Sequence, residues 1–144
     1  MFSKSCEYAI KAMIYIVSES LEGNRVKVNS LAQEIGVPEA FMGKIMSLLA
    51  QKKLVESLKG PYGGYQTNLS NAKKMSIIDV IKAVDGSQIF EGCALGLSSC
   101  DETNPCPMHE QFAEIRHNLE IRFSQKSMYE LAVELSNGKT VLVR

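Results

Sequence analysis

The chain has 144 residues, 45% of them hydrophobic, with 16 basic and 16 acidic side chains and no net charge. That length fits one ordinary domain, or a small reading head with a dimerisation arm, and no apolar run is long enough to span a bilayer. The start at Met1 lacks the basic-then-apolar layout of a secretory signal. A cytoplasmic location is therefore expected, and the four cysteines read as metal-binding or redox-sensing thiols rather than disulfides.

The charge balance conceals an asymmetry. Residues 1–75 carry 10 Lys and Arg against 6 Asp and Glu, whereas residues 76–144 carry 6 against 10. The first half can approach a polyanion, and the second cannot. In the first half, Ser3 or Ser5 can cap a helix whose first turn holds Glu7. From Tyr8 to Val17 nearly every position is apolar, so this helix is expected to be buried on most faces, with Cys6 a small buried thiol at its start. Gly23-Asn24 ends it.

Ser30 and Gln33 have capping-box spacing ahead of Leu31, Ala32 and Ile35, with Gly36 as a stop. Pro38 then opens a second helix with Phe41, Met42, Ile45, Met46, Leu48 and Leu49 at helical spacing. Short helix, tight turn and longer helix make a helix-turn-helix pattern. Its second helix is expected to bury Phe41, Ile45 and Leu48 and to present Glu39, Ala40, Gly43, Lys44 and Ser47 outward. Leu54–Leu58 reads as a strand, Lys59-Gly60-Pro61-Tyr62-Gly63-Gly64 as a tight loop and Tyr65–Thr67 as the returning strand. A hairpin directly after a reading helix is a wing. Lys59 at its tip suits a phosphate or the minor groove, and the glycines permit close backbone approach.

Beyond the wing, Ser76 and Asp79 bracket the start of a packing helix that Gly86 closes. The segment from Cys93 to His109 holds three of the four cysteines and one of the two histidines, among Gly, Ser, Asn and Pro residues that favour a loop. Cys93, Cys100, Cys106 and His109 are a ligand set for zinc or an iron-sulfur centre. None of the close Cys pairs of structural zinc sites is present, so the wide spacing favours a cluster. Pro107 can open a longer helix in which Met108, Phe112, Ile115 and Leu119 form an apolar seam that wants a partner helix. Ser127 and Glu130 begin a last helix, stopped by Asn137-Gly138 and expected to fold back on the reading head. Val141–Val143 is expected to add an edge strand or to fray.

The opening Ser5-Cys6-Glu7-Tyr8-Ala9-Ile10, the helix-turn-helix, the Gly60-Pro61-Tyr62-Gly63-Gly64-Tyr65 wing and the cysteine loop together resemble the Rrf-two family of bacterial winged-helix transcription regulators. The resemblance runs from about Met1 to about Leu135, and the wing and cysteine loop in combination make it specific. It implies a mainly α fold with a small β-hairpin wing, divided into a winged helix-turn-helix DNA-binding domain (1–90), a cysteine-rich cluster-binding loop (91–106) and a dimerisation helix with a C-terminal helix (107–144). It also implies a homodimer that binds palindromic operators in double-stranded DNA, with the iron-sulfur assembly machinery as a further partner.

The IscR-like members of the family imply a 2Fe-2S cluster on Cys93, Cys100, Cys106 and His109. The alternative fourth ligand is Glu7 from the partner subunit, as in members that hold a 4Fe-4S cluster. Ser30, Glu39, Ala40, Gly43, Lys44, Ser47 and the wing residues Lys59, Gly60, Pro61, Tyr62, Gly63 and Gly64 are the expected DNA contacts. The family often has Glu at the place of Gly43 and Arg at that of Lys59, so the relatives' base preferences do not carry over. The chain has no dinucleotide motif or acid-base pair to suggest an enzyme. The competing reading is a cluster-free or zinc-stabilised repressor that answers to a partner protein or to thiol oxidation.

Overall fold

The computed structural model describes all of residues 1–144, beginning with helix α1 (Lys4–Leu21). Ser3 is its cap: the hydroxyl accepts from the backbone N–H of Cys6 at 3.1 Å, and Asp85 accepts from Ser3 in turn. The apolar run places Ala9, Ala12, Met13, Ile16 and Val17 in the centre of the molecule, all fully buried. Removing a side chain the size of Met13 or Ile16 from water stabilises the fold by roughly 1.5–3 kcal/mol each.

Helix α2 (Val28–Ile35) starts one turn earlier than the expected Ser30 capping box. Val28 packs against the core together with Leu31 and Ile35, and that contact draws the helix start upstream. Ser30 consequently lies inside the first turn, exposed, with its N–H taken by the Asn29 side chain at 2.9 Å. Gly36 ends α2 in the left-handed conformation, φ 79°. Pro38 sits at the cap of α3 (Glu39–Gln51) rather than at its first helical position, and its carbonyl accepts from Phe41 and Met42. Met42, Ile45, Met46 and Leu49 are the buried face of α3, and Phe41 and Leu48 flank it half-buried.

The hairpin is shorter than expected: β1 (Glu56–Leu58) pairs antiparallel with β2 (Gly64–Gln66). Leu54 and Val55 turn into the core instead of extending the ladder, and Thr67 is buried beneath the other end. A bridge between Val26 and Tyr65, with N–H···O distances of 2.9 and 2.8 Å, ties the α1–α2 connection to the wing.

A short helix α4 (Leu69–Lys74), unanticipated from the sequence, is capped by Asn68, which accepts from Ser70 N–H at 2.8 Å. Helix α5 (Ile77–Val84) carries the expected Ser76/Asp79 capping box, and α6 (Gln88–Glu91) adds one turn before the cysteine loop. Helix α7 (His109–Ser124) begins at His109, two residues after Pro107, so the histidine is the first residue of the helix rather than part of the loop. Helix α8 (Met128–Ser136) has its Ser127/Glu130 capping box and packs across α1, burying Met128 and Ala132 completely. The tail forms no strand; Leu142 alone packs on the core, between the exposed Val141 and Val143.

Two apolar cores result. The larger joins α1, α2, α3, the hairpin and α8. The smaller contains Cys6, Ile78, Ile81 and Phe90, with Phe2, Leu119 and Phe123 against it, and it joins the start of α1 to α5, α6 and α7. Phe2 and Phe123 meet there at a ring-centroid distance of 5.7 Å. No residue of α7 is buried, and Ile115 of the apolar seam is 51% exposed. No helix is long and apolar enough to cross a membrane.

Candidate nucleic-acid interface and metal centre

The candidate reading face is built on α3, which is anchored by its Met42, Ile45, Met46 and Leu49 side and leaves Glu39, Ala40, Lys44 and Ser47 exposed. Gly43 departs from the expected outward position. It is half-buried, and a Cβ there would touch the Val28 side chain at 4.0 Å, because α2 crosses α3 at this point. In the wing, Lys59, Gly60, Pro61 and Tyr62 are exposed, Tyr62 to 88%. Gly63 departs likewise: it is buried, and a Cβ there would overlap the Leu58 carbonyl. Gly63 therefore serves the turn geometry; Gly64 is half-buried, its Cβ position 2.9 Å from the Val26 carbonyl oxygen, and Lys59 through Tyr62 form the exposed tip of the wing.

Arg25 is a residue the motif reading passed over. Its guanidinium donates from Nε to the Gln66 side-chain oxygen at 3.2 Å and from Nη1 to the Tyr62 carbonyl at 3.1 Å, bracing the wing from below. A basic residue in a turn carries no motif. Only the pairing of Val26 with Tyr65 brings it under the hairpin.

In the cysteine loop the donors stand in two pairs. The sulfurs of Cys93 and Cys106 lie 3.8 Å apart, and Cys100 Sγ lies 3.3 Å from His109 Nδ1. No three His, Cys, Asp or Glu side chains converge around one point. A tetrahedral metal with bonds of roughly 2.3 Å to sulfur separates two thiolates by about 3.8 Å, so the Cys93–Cys106 spacing fits two ligands of one ion. The loop also suits an anionic sulfur. Backbone N–H groups of Leu97, then Leu95 and Gly96, point at Cys93 and, with the Cys106 thiol, hold its pKa below the ordinary thiol value. Arg116 of α7, a second residue missed in the sequence, donates to Cys100 Sγ at 3.0 Å, the kind of hydrogen bond that tunes a ligating sulfur.

Glu7 pairs with Lys4 of its own helix at 2.8 Å, which lowers its pKa. Cys6 is set apart from the other thiols: burial, with Asp85 nearby, pushes its pKa up to about 12.

Residues 2–134 match the Rrf2 family, described as an iron-dependent transcriptional regulator. The chain belongs to the Rrf2 family. A protein of Aquifex aeolicus (strain VF5), provisionally named an HTH-type transcriptional regulator, is 30% identical over 134 residues, covering 91% of this chain and 90% of that one. The HTH-type transcriptional regulator IscR of Pectobacterium atrosepticum is 29% identical over 135 residues, 94% of this chain and 78% of its own length. Among solved structures, CymR, the global cysteine regulator of B. subtilis, superposes with a TM-score of 0.76 at 22% identity, covering 92% of this chain and 96% of its own. The Rrf2 relatives are transcriptional regulators, not enzymes, and the mainly helical architecture with a single hairpin is the one these regulators share.

Proposed function

We propose that this Rrf2 protein is a homodimeric repressor that binds imperfectly palindromic operators and reports the state of a 2Fe-2S cluster on Cys93, Cys100, Cys106 and His109. The observation that carries the reading is the two-by-two arrangement of those donors at the start of α7. A two-iron centre takes two protein ligands on each iron, and imidazole replaces thiolate in known clusters. When bound, such a centre supplies a site that oxidants, nitric oxide and iron shortage can all perturb.

The remaining steps belong to the chain. Cys93 and Cys106 lie on the two arms of the loop, and Cys100 is tied to His109 and Arg116 on α7. Holding the four donors together fixes α7 against α5 and α6, and releasing them frees it. Two winged helices joined through α7 would present α3 of each copy about 34 Å apart, one turn of DNA. A change in the tilt of α7 alters that spacing. Lys44, Ser47 and Lys59 are the contacts to bases and phosphates, with Glu39, Ala40 and the exposed wing residues lining the surface.

The test is purification of the full chain without oxygen, followed by iron and acid-labile sulfide analysis. Two irons per chain and visible charge-transfer absorption are expected, with different operator affinities for loaded and stripped protein. Iron-free protein that reconstitution leaves bare refutes the cluster. H109A should lower iron content and E7A should not; the reverse outcome would assign the site to Glu7 of a second copy and favour a 4Fe-4S centre.

One observation favours a second reading. Cys93 and Cys106 need to close only from 3.8 Å to form a disulfide, so a cluster-free regulator could answer to thiol oxidation. Such a protein would be colourless, and oxidant would lock Cys93 to Cys106 in a peptide map.

A further inference from the structure

The segment from Arg25 to Val28 lies between the two elements that face DNA in the proposed reading. Its far end meets the recognition helix, since Val28 touches the position of Gly43, and its near end is bridged to the wing through Val26 and Tyr65. Between the wing and this segment is an open groove of about 460 Å³, lined by Asn24, Arg25, Lys27, Tyr62 and Gln66 among others. Two cations and no carboxylate line it. Neither Arg25 nor Lys27 takes part in an ion pair: the chain's three join Lys4 to Glu7, Lys82 to Glu120 and Lys126 to Glu134. Two carboxylates touch residues of the groove wall without pairing with either cation: Glu19 accepts from Asn24 at 3.0 Å and Glu56 from Gln66 at 3.1 Å. Arg25 spends two N–H donors on neutral acceptors, which leaves three of its five, and its whole charge, for a ligand.

We infer that Arg25 and Lys27 form a notch that binds a backbone phosphodiester of the operator where the strand passes from the major groove, read by α3, to the minor groove, met by the wing. The inference rests on the DNA-binding reading above and adds a site to it. A polar groove with unneutralised cations and several free donors matches a phosphate oxygen better than a base edge. The position fits because a strand running from α3 to the wing must cross this segment. Arg25 does two jobs in this arrangement: it braces the Tyr62 carbonyl and it offers charge.

The experiment measures binding of the full chain to a 30-base-pair random-sequence duplex and to an operator selected from a random pool, between 50 and 200 mM salt. Each lost phosphate contact makes the slope of log affinity against log salt shallower by about 0.9, so the advantage of the wild type shrinks about 3.5-fold across that range. R25Q and K27Q are each expected to show this on both duplexes, and the double variant twice the change in slope, or about 12-fold across the range. R25K, which keeps the charge and loses the planar fork, should weaken binding with the wild-type slope. Slopes unchanged in R25Q and K27Q overturn the notch, even if affinity falls, because a purely structural brace would act without releasing counterions. Failure of the wild type to bind either duplex refutes the DNA-binding reading itself, and the notch with it.

Discussion

Gly63→Ala is the sharpest test of the wing. The added Cβ would overlap the Leu58 carbonyl oxygen and come within 2.9 Å of the Gly60 carbonyl oxygen, where carbon and oxygen normally meet at about 3.3 Å or more. Both obstacles are backbone, so no side chain can swing aside. Relief requires the turn to open, which breaks the Gly63 N–H to Gly60 carbonyl bond of 2.9 Å. That loss costs about 1 kcal/mol, and residual backbone strain about 1–3 kcal/mol more. Two three-residue strands cannot absorb so much, because an isolated hairpin is marginal in water. The wing should therefore melt while the helical core stays folded.

Gly60→Ala is the control, since nothing lies within 4 Å of its added Cβ and only its φ of 101° is at stake. That costs about 1–2 kcal/mol. Amide exchange at Ser57 and Tyr65 reads the wing, a guanidinium melt reads the core, and fluorescence anisotropy reads operator affinity. G63A should lose wing protection and at least about tenfold in affinity, the equivalent of roughly 1.4 kcal/mol, with G60A less affected in both. A G63A protein with protected Ser57 and Tyr65 and wild-type affinity would refute the steric reasoning.

Ile115→Glu charges the exposed seam of α7 and should convert a dimer to a monomer in sedimentation; an unchanged dimer removes α7 from the interface. In stripped protein at pH 8, mass spectrometry after brief alkylation should find Cys93 modified first and Cys6 untouched until unfolding. Because burial raises the Cys6 pKa from 9.0 to about 12, its contribution to stability is whole below pH 9 and is lost as pH climbs towards 12. C6A should therefore flatten the alkaline limb of a stability profile, and an unaltered limb would contradict this. Ser127→Ala removes the hydroxyl that accepts from Glu130 N–H at 3.1 Å and should cost about 1 kcal/mol, or roughly 2–4 °C in Tm. Glu130, whose pKa is lowered by the Ser127 backbone N–H and hydroxyl, should lose its stabilising effect only as pH falls below the ordinary carboxylate range.

Legibility in the sequence followed the range of the interaction. Capping boxes at Ser76/Asp79 and Ser127/Glu130 were readable because their partners lie three residues apart, and both formed. The Ser30 box had the same local pattern and failed, because the distant packing of Val28 against the core set the start of α2. Likewise, the glycines announced a turn but not which one the fold requires. Gly43 and Gly63 look alike in the sequence as accessible positions, yet the Leu58 carbonyl closes over Gly63 while Val28 only flanks the half-buried Gly43. Arg25 and Arg116 were invisible for the same reason: their partners are 41 and 16 residues away. The donor set of Cys93, Cys100, Cys106 and His109 was readable as chemistry, whereas its division into two pairs depends on where α7 begins.

On the proposed reading, the smaller core gives that division a consequence for regulation. Cys100 and His109 are fastened to α7, and α7 has no buried residue of its own. What holds it in the single chain is the contact of Leu119 and Phe123 with Cys6, Ile78, Ile81 and Phe90, the aromatic pair Phe2–Phe123 and the exposed ion pair Lys82–Glu120 at 3.6 Å. An exposed pair of that kind contributes about 0–1 kcal/mol. On the proposed reading, a second copy covering Ile115 would supply the missing burial, so the angle of α7 would be set by two weak anchorages and one strong one. The strong one, with a metal centre bound, would be the ligand loop. A regulator built this way needs no contact between the cluster and DNA: releasing His109 and Cys100 would leave α7 to settle by its weaker contacts, and the start of α1 and α5, which share that core, would carry the shift to the reading head.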